Sequence, residues 1–226
     1  MLVLAIDTAL EACSAAIFDS VEGVVIASDT QMMTRGHAEA LMPLVAGVME
    51  QAAIPFAQLD RIAVTVGPGS FTGLRVGIAA ARGLGLAAKK PVIGVTTLAA
   101  LAAPYIATDP GTPVAAAIDG RHRHIYLQLF GAGGHVLLSP RIVPVAEAVH
   151  AAAGASARLV GSGAAMMAEI WPDADKPPQI DERRAPDIDW VARLGADAAQ
   201  QDAPPKPLYL RPPDAHPQTS AKLPRR

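Results

Sequence analysis

The first residues that could do chemistry are Asp7 and Thr8, at the end of a predicted buried strand over residues 2–6. A carboxylate there could hold a metal-bound water, and backbone N–H groups in the following turn could bind phosphate. The turn at residues 9–12 contains no glycine, and it adds the negative charge of Glu11, which would repel phosphate. These residues favour a structural hairpin turn, with a phosphate site as the weaker alternative.

A second candidate is the glycine loop, which we define as residues 67–73, Gly-Pro-Gly-Ser-Phe-Thr-Gly, between a predicted strand and a predicted helix. Such loops can bind phosphate at the N-terminus of the helix. This one has no lysine after its last glycine, so it is not a Walker loop, and it lacks the dinucleotide-binding spacing. The pattern favours a tight turn that lets the helix pack close to the sheet. Phosphate binding is the alternative.

The histidines and the cysteine indicate a chemical role less clearly than these two segments do. His122 and His124 are two residues apart, so on a strand both would point to one face and could meet one zinc ion. No third or fourth ligand has recognisable spacing, which favours a solvated polar edge. His37 is interpreted as a cap or packing residue, and Cys13 lies in an apolar strand that disfavours a thiolate. The sequence predicts no catalytic residue, no cofactor site and no metal site.

Composition limits the class of protein. The chain has 226 residues, 51% hydrophobic and 18% charged, which excludes a wholly disordered protein and suits one large domain or two small lobes. Much of the apolar share is alanine, which predicts a core of small, closely packed side chains. A net charge of −2 gives no bulk attraction to nucleic acid or to an anionic membrane. With one cysteine, no export signal and no convincing membrane span, we expect a cytoplasmic protein.

The order of predicted elements indicates two α/β lobes of similar plan. We expect an N-terminal lobe at residues 1–104, a C-terminal lobe at 105–202 and a tail at 203–226. The tail has seven prolines and five basic residues against one acidic residue, which favours an extended, mobile segment over a nucleic-acid contact. Predicted strands cover residues 2–6, 13–18, 24–28, 61–66, 91–95, 114–119, 124–130, 135–138 and 158–161. Predicted helices cover residues 38–53, 74–88, 96–103, 145–153, 164–171 and 188–200.

Six short runs, in order along nearly the whole chain, carry a family resemblance. The first three are Leu-Ala-Ile-Asp-Thr at 4–8, Arg-Gly-His-Ala-Glu-Ala-Leu-Met-Pro at 35–43 and Val-Gly-Pro-Gly-Ser-Phe-Thr-Gly-Leu-Arg-Val-Gly at 66–77. The others are Ile-Asp-Gly-Arg at 118–121, continuing through Tyr126, Gly-Ser-Gly at 161–163 and Pro-Leu-Tyr-Leu-Arg at 207–211. Together they resemble the bacterial tRNA threonylcarbamoyladenosine biosynthesis protein TsaB (YeaZ) family, and the run at 66–77 is the most specific.

The resemblance implies a two-lobed actin-like ATPase or sugar-kinase fold, with a mixed sheet and helices in each lobe. It also implies a non-catalytic role beside the catalytic subunit TsaD and the ATPase TsaE. That assembly transfers a threonylcarbamoyl group to the adenosine next to the anticodon of tRNAs. The chain would meet tRNA indirectly through the complex, and alone it could form a homodimer.

The metal-binding residues of the catalytic relative can be compared with the matching residues of this chain. The catalytic relative has two metal-binding histidines four apart, in an Asn-His-Leu-Glu-Gly-His run. The matching run here, at residues 96–101, places Thr97 and Leu101 at those positions. A threonine hydroxyl is a poor ligand for a transition metal and leucine is none, so the resemblance implies an accessory subunit. His124 stands where the family pattern generally has a glutamate.

Two other functions are weighed against this one. A free-standing ATP-dependent small-molecule kinase of the same fold would need a glycine-bearing phosphate hairpin, which residues 9–12 do not provide. A metallopeptidase-like relative would need the missing histidine pair. Micromolar ATP affinity of the chain without partners would favour the kinase.

Two predicted helices carry more apolar surface than one core face needs. Arg75 and Arg82 are the only charged residues at 74–88 and mark an outward face that also bears small and apolar residues. The preceding helix has two apolar stripes, so both helices are expected to be buried on two sides, by this chain and by a partner. The alternative is that both lie beneath the second lobe. The predicted interface comprises Leu41, Leu44, Val45, Val48, Met49, Arg75, Ile78, Ala79, Arg82, Gly85 and Leu86.

Overall fold

The computed structural model describes residues 1–200 and 203–211 and contains two five-stranded sheets. The strands of the first sheet are β1 (Leu2–Asp7), β2 (Ala12–Asp19), β3 (Val24–Met32), β4 (Arg61–Gly67) and β5 (Val92–Thr96). Their order is β3-β2-β1-β4-β5, with β1 antiparallel to β2 and parallel to β4. Because β1 and β4 are parallel neighbours, Asp7 and the glycine loop emerge at the same edge of the sheet.

The second sheet repeats this plan. Its strands are β6 (Val114–Asp119), β7 (His124–Phe130), β8 (Val136–Pro144), β9 (Arg158–Val160) and β10 (Ile180–Asp181). Their order is β10-β9-β6-β7-β8, with β6 antiparallel to β7 and parallel to β9. In each half the first strand is central, with two antiparallel strands on one side and two parallel strands on the other. The predicted α/β class, with two mixed sheets in a repeated plan, is confirmed.

Helices cover both faces of each sheet. They are α1 (His37–Ala52), α2 (Phe71–Ala88), α3 (Thr97–Thr108), α4 (Val145–Gly154), α5 (Ala164–Ala168) and α6 (Ile188–Asp197). α1 and α2 share one core with the first sheet, and α6 packs on its other face. α4 and α5 pack on one face of the second sheet, while Leu98 and Leu101 of α3 fill a core on its other face.

All six helices differ from their predicted bounds by one to five residues, and two of these differences have a cause in the contacts. α2 begins at Phe71, earlier than predicted, because Ser70 caps it: Ser70 Oγ accepts a hydrogen bond from the Gly73 N–H at 3.3 Å. α3 continues through Pro104 to Thr108, although a proline inside a helix removes a backbone donor. Tertiary contacts offset this loss, since the Tyr105 hydroxyl donates a hydrogen bond to Asp181.

Small side chains set the packing distances, as the alanine content predicts. α6 approaches the first sheet so closely that a Cβ atom added to Gly195 would overlap the Cβ atom of Ala63. The buried face beneath α6 is lined by Ala5, Ala16 and Ala63. A larger residue at Gly195 would therefore push α6 off the sheet.

Two helices, α3 and α6, do not follow the predicted division of the chain into lobes. The boundary between residues 104 and 105 falls inside α3. α6 lies within the predicted C-terminal lobe in sequence, yet Ile188, Val191 and Ala192 pack on the first sheet. The division at 104 and 202 stays a prediction. Within the described residues, no helix is both long enough and apolar enough to cross a membrane.

Candidate functional site

The glycine loop and the start of α2 pack directly on the turn between β1 and β2. A Cβ atom added to Gly69 would overlap the carbonyl oxygen of Ala9, and one added to Gly73 would overlap the carbonyl oxygen of Thr8. One added to Gly77 would overlap the Thr8 hydroxyl. Gly73 and Gly77 stand four residues apart on α2, so they form one smooth helix face against the turn, and Gly69 packs on the same turn from the loop before the helix. The interpretation of this loop as a tight, closely packed turn is confirmed.

Two polar groups in the glycine loop and at the start of α2 are bonded to the β1–β2 turn. The Ser70 N–H donates to the carbonyl oxygen of Ala9 at 2.7 Å. The Thr8 hydroxyl donates to the carbonyl oxygen of Gly73, also at 2.7 Å. These bonds hold the loop and the helix against the turn. The arrangement therefore favours a structural role for the glycine loop.

Asp7 is fully buried beside this turn. Its Oδ1 accepts hydrogen bonds from the Thr65 hydroxyl at 2.6 Å and from the Ala9 N–H at 3.0 Å. Its Oδ2, and the hydroxyl of Ser14 directly across the β1–β2 pairing, have no hydrogen-bond partner within the described residues. Burial outweighs the hydrogen bonds and raises the pKa of Asp7 to about 6. The carboxyl group can hold a proton up to about pH 6, but its burial keeps a substrate away.

The positions that match the metal ligands of the catalytic relative are filled by packed side chains. Thr97 and Leu101 are both fully buried, and the Thr97 hydroxyl has no hydrogen-bond partner among the described residues. Across the described part of the chain, no three histidine, cysteine, aspartate or glutamate residues are grouped to hold a metal ion.

His37 is buried with Nε2 at 3.1 Å from the Leu10 carbonyl oxygen, which fits the packing interpretation. Burial also raises the pKa of Cys13 to about 11.

Residues 205–211, which we call the C-terminal strap, cross the edge of the first sheet. The Leu208 N–H donates to the carbonyl oxygen of Val66 at 2.7 Å. Pro205 is buried over Gly94, where an added Cβ atom would lie 3.1 Å from the Pro205 Cβ atom. The expectation of a mobile tail is wrong for the strap, because it is pinned to β4 and β5. The rest of the tail, residues 212–226, lies outside the described residues.

The far end of the strap joins the two halves of the molecule. The ring of Tyr209 lies 5.2 Å from the ring of Phe71, and Arg75 Nε donates to the Tyr209 hydroxyl at 3.1 Å. The Arg75 guanidinium also lies 3.8 Å from the centre of the Phe71 ring. Arg211 Nη1 then donates to the carbonyl oxygen of Gly120, in the turn before β7, at 3.2 Å. Arg75, which is exposed and whose partner contact stays a prediction, anchors the strap.

We expect Tyr209→Ala to release the strap, because it removes the stacking on Phe71 and the bond from Arg75. The expected loss of stability is about 1–2 kcal/mol. Hydrogen exchange at the Leu208 amide should become at least tenfold faster, while Tyr209→Phe, which keeps the ring, should change it much less. Equal exchange rates in the wild type and Tyr209→Ala would contradict the anchoring role.

The run at residues 119–124 forms a left-handed turn instead of the start of a strand. Arg121, His122 and Arg123 have φ angles of +62°, +51° and +59°, and β7 begins only at His124. The prediction that His122 and His124 share one strand face is therefore wrong. His124 Nδ1 lies 2.9 Å from the His122 carbonyl oxygen, which fixes the turn and leaves the two rings without a common metal position.

Three of the runs that carry the family resemblance meet at this turn. Asp119 Oδ1 accepts a hydrogen bond from the Arg121 N–H at 2.8 Å. The Ser162 hydroxyl accepts one from the Asp119 N–H at 3.2 Å, and Arg211 reaches Gly120 from the strap. Sequence spacing could not predict this convergence, because the three runs come from distant parts of the chain.

A polar cluster that the sequence did not predict fixes the end of α3. The Tyr105 hydroxyl, which donates to Asp181, also accepts from Arg183 Nε at 2.9 Å. Nearby, Arg184 Nη1 lies 3.3 Å from Glu11 Oε2, so the negative charge of the β1–β2 turn is paired. These groups satisfy one another and connect β10 and the segment before α6 to the first sheet. The structural interpretation of the hairpin turn is consistent with this pairing.

Most of the predicted interface residues belong to the core of this chain. The face of α1 predicted to meet a partner is the one that packs on β2, and part of the α2 set packs inward in the same way. These positions cannot meet a partner without local unfolding, so we remove them from the predicted interface. They are Leu41, Leu44, Val45, Val48, Met49, Ile78 and Gly85.

The other predicted residues are exposed. They are Arg75, Ala79, Arg82 and Leu86, and Leu86 is 82% exposed. Burial beneath the second lobe is therefore excluded for this side of α2. Exposed positions of α1 lie on its side away from the core and include an apolar residue, Met42. We call the combined surface the α1–α2 face: Met42, Ala46, Ala79, Arg82, Gly83 and Leu86.

Gly83 on this face has no packing reason among the described residues. An added Cβ atom would meet nothing within 4 Å there. Glycine in the middle of a helix costs about 0.5–1 kcal/mol relative to alanine. Gly83 leaves the surface without a protruding side chain, at a cost in helix stability that no contact within the described residues explains.

Comparison with known families gives a match over residues 23–172 to the model for TsaD, tRNA N6-adenosine threonylcarbamoyltransferase. The chain is 40% identical over 126 residues to the tRNA threonylcarbamoyladenosine biosynthesis protein TsaB of Escherichia coli, covering 56% of this chain and 53% of that protein. It is 36% identical over 217 residues to an uncharacterized protein of Mycobacterium tuberculosis, covering 95% and 94%. The aligned part thus spans about half of the Escherichia coli relative and nearly all of the mycobacterial one.

Solved structures share the whole fold. YeaZ from Pseudomonas aeruginosa superposes with a TM-score of 0.76 at 28% identity, over 92% of this chain and 99% of that one. A second Pseudomonas aeruginosa structure, of an uncharacterized protein with similarity to peptidase YEAZ, gives 0.77 at 29% identity, over 93% and 99%. The ethanolamine utilization protein EutJ from Carboxydothermus hydrogenoformans gives 0.53 at 12% identity, over 86% and 90%, and is similar in fold alone.

Proposed function

Since the chain belongs to the TsaB (YeaZ) family of tRNA threonylcarbamoyladenosine biosynthesis, we propose that it is the non-catalytic partner of a TsaD-type catalytic subunit. In this proposal it binds and supports that subunit while threonylcarbamoyl is transferred to tRNA in the cytoplasm. A TsaE-type ATPase joins the pair, and two copies of this chain use the same surface when the catalytic subunit is absent.

Three features of the structure support a non-catalytic role. Thr97 and Leu101 are buried where the catalytic relative has metal-binding histidines, and neither is a useful ligand for a transition metal. The glycine loop is packed against the β1–β2 turn, which supports a structural role for it. A fully buried Asp7 cannot reach a substrate without local unfolding.

The α1–α2 face is the observation that carries the partner role. Leu86, near the C-terminal end of α2, is 82% exposed on a face that includes Ala79 and Gly83. An exposed leucine with such small residues on the same face suits a helix-to-helix interface, where backbones approach closely. Arg82 on the same face can pair with a carboxylate of the partner.

Binding of the TsaD-type subunit from the same cell tests the proposal. We expect the wild-type chain to co-elute with that subunit and Leu86→Asp/Ala79→Arg to bind at least tenfold more weakly, since both changes place charge in an apolar contact. Leu137→Asp is the matched control, because Leu137 is an exposed leucine of β8, 51% accessible and remote from this face. Unchanged affinity of the folded double variant, or no binding by the wild type, would overturn the proposal.

A further inference from the structure

We infer that the turn Arg121–His122–Arg123, together with Arg211 of the C-terminal strap, binds phosphate groups of the tRNA backbone. The inference rests on the proposed function, and it adds a direct tRNA contact to a chain for which the family resemblance implies only an indirect one.

The turn is rigid and holds an unfavourable backbone conformation. Three consecutive residues other than glycine, Arg121 to Arg123, have positive φ angles, which side chains with a Cβ atom disfavour. The backbone is held from three sides: the Arg121 N–H bonds to Asp119 Oδ1, the Gly120 N–H bonds to the His124 carbonyl at 2.8 Å, and the Val145 N–H bonds to the Arg123 carbonyl at 3.0 Å. Such a conformation persists only where its surroundings enforce it, and it is concentrated at functional sites.

The side chains on this turn are exposed and unpaired. Within the described residues, no hydrogen bond or ion pair engages the side chains of Arg121, His122 or Arg123, and all three are exposed. The nearby carboxylate, Asp119, accepts the Arg121 backbone N–H and forms no ion pair with a guanidinium in that part of the chain. Most other arginines of the described chain are engaged: Arg61, Arg75, Arg141, Arg158, Arg183, Arg184 and Arg193.

The strap adds charge at the same place. Arg211 is tied to the turn through the Gly120 carbonyl oxygen, so its guanidinium lies beside Arg121 in space although the two are far apart in sequence. The chain continues from Arg211 into residues 212–226, where three basic residues face one acidic residue in the sequence.

The shape of the site favours RNA over a small anion. The turn stands on the surface at the carboxyl edge of β6, and its residues line neither the cavity between β3 and α1 nor the one beside residues 183–187. A free phosphate or nucleotide needs a concave site, whereas exposed arginines on a rigid turn suit successive phosphates of a strand. The net charge of −2 for the whole chain makes this local cationic surface the place where RNA attraction is expected.

The experiment measures binding of an unmodified tRNA transcript to the full chain, alone and with the TsaD-type subunit, over a range of salt concentrations. We expect Arg121→Gln/Arg123→Gln to weaken binding about tenfold and to reduce the slope of log K against log salt by about 1.5, as for the loss of two phosphate contacts. Lys176→Glu is the control, since it changes the net charge equally at an exposed position elsewhere. Arg121→Lys/Arg123→Lys should retain most of the binding, because it keeps the charges.

The possible outcomes separate the tRNA contact from other roles of these arginines. Loss of tRNA binding by the glutamine variant alone, with co-elution of the TsaD-type subunit unchanged, supports the inference. Equal loss with Lys176→Glu, or no loss in either, overturns it. Loss of TsaD-type binding instead of tRNA binding assigns the arginines to a protein interface and also overturns it. If the wild-type chain binds tRNA but no TsaD-type subunit, the proposed function fails while the tRNA contact stands.

Discussion

Replacing Gly73 by alanine is expected to lower the free energy of unfolding by about 3 kcal/mol. The new Cβ atom would overlap the backbone carbonyl oxygen of Thr8, which cannot move without displacing the β1–β2 turn. The same shift would break the hydrogen bond from the Thr8 hydroxyl to the Gly73 carbonyl oxygen. Urea unfolding followed by circular dichroism measures the loss.

Gly83→Ala is the matched control, on the same helix. Because an added Cβ atom meets nothing within 4 Å there, we expect this change to raise the stability of the isolated chain by about 0.5–1 kcal/mol. The same variant should weaken binding of the TsaD-type subunit, since Gly83 lies on the α1–α2 face. Similar stability changes at Gly73 and Gly83 would refute the close packing of α2 on the turn.

The second large effect concerns Asp7, whose ionisation in the folded chain should make stability depend on pH. Burial raises its pKa from 3.8 to about 6, so between these values the folded state binds more protons than the unfolded state. Stability contributed by this group is fully present below about pH 4 and is lost as the pH rises through about 6. The total loss amounts to about 3 kcal/mol at most.

The Asp7→Asn variant tests the predicted direction of this pH dependence. The amide oxygen can still accept from Thr65 and Ala9, but the residue no longer ionises. Relative to the wild type, the free energy of unfolding of Asp7→Asn should rise by about 2 kcal/mol between pH 4.5 and pH 7.5. Asp173→Asn, at an exposed position, controls for a general effect of one lost charge. A difference independent of pH, or one that falls as the pH rises, would contradict the buried, protonated carboxyl group.

Much of the fold follows from local pattern. Apolar and β-branched runs such as that of β4 identify the strands, and the repeated order of elements identifies two similar halves. The limits of α2 and α3 could not be predicted, because they depend on Ser70 as a cap and on the contact of Tyr105 with Asp181. The return of α6 to the first sheet is a long-range contact that no local pattern contains.

For the candidate site, too, local sequence patterns do not identify the long-range contacts. The glycines of the loop were correctly interpreted as packing residues, but which surface they pack on depends on the β1–β2 turn. The stripe of α1 that includes Leu41 and Val45 was assigned to a partner because periodicity identifies an apolar face without saying what covers it. The positive φ angles of Arg121 and its neighbours broke the strand pattern that had placed His122 and His124 side by side.

Formation of threonylcarbamoyladenosine in a reconstituted mixture tests the central claim most directly. Purified TsaD-type and TsaE-type subunits, tRNA and the activated threonylcarbamoyl donor are incubated with and without this chain, and the nucleosides are measured by mass spectrometry. We predict no product from the chain alone, rapid product formation when it joins the TsaD-type subunit, and loss of that gain with Leu86→Asp/Ala79→Arg but not with Leu137→Asp. Product formed by the chain alone, or formed equally fast without it, would contradict its role as a non-catalytic partner.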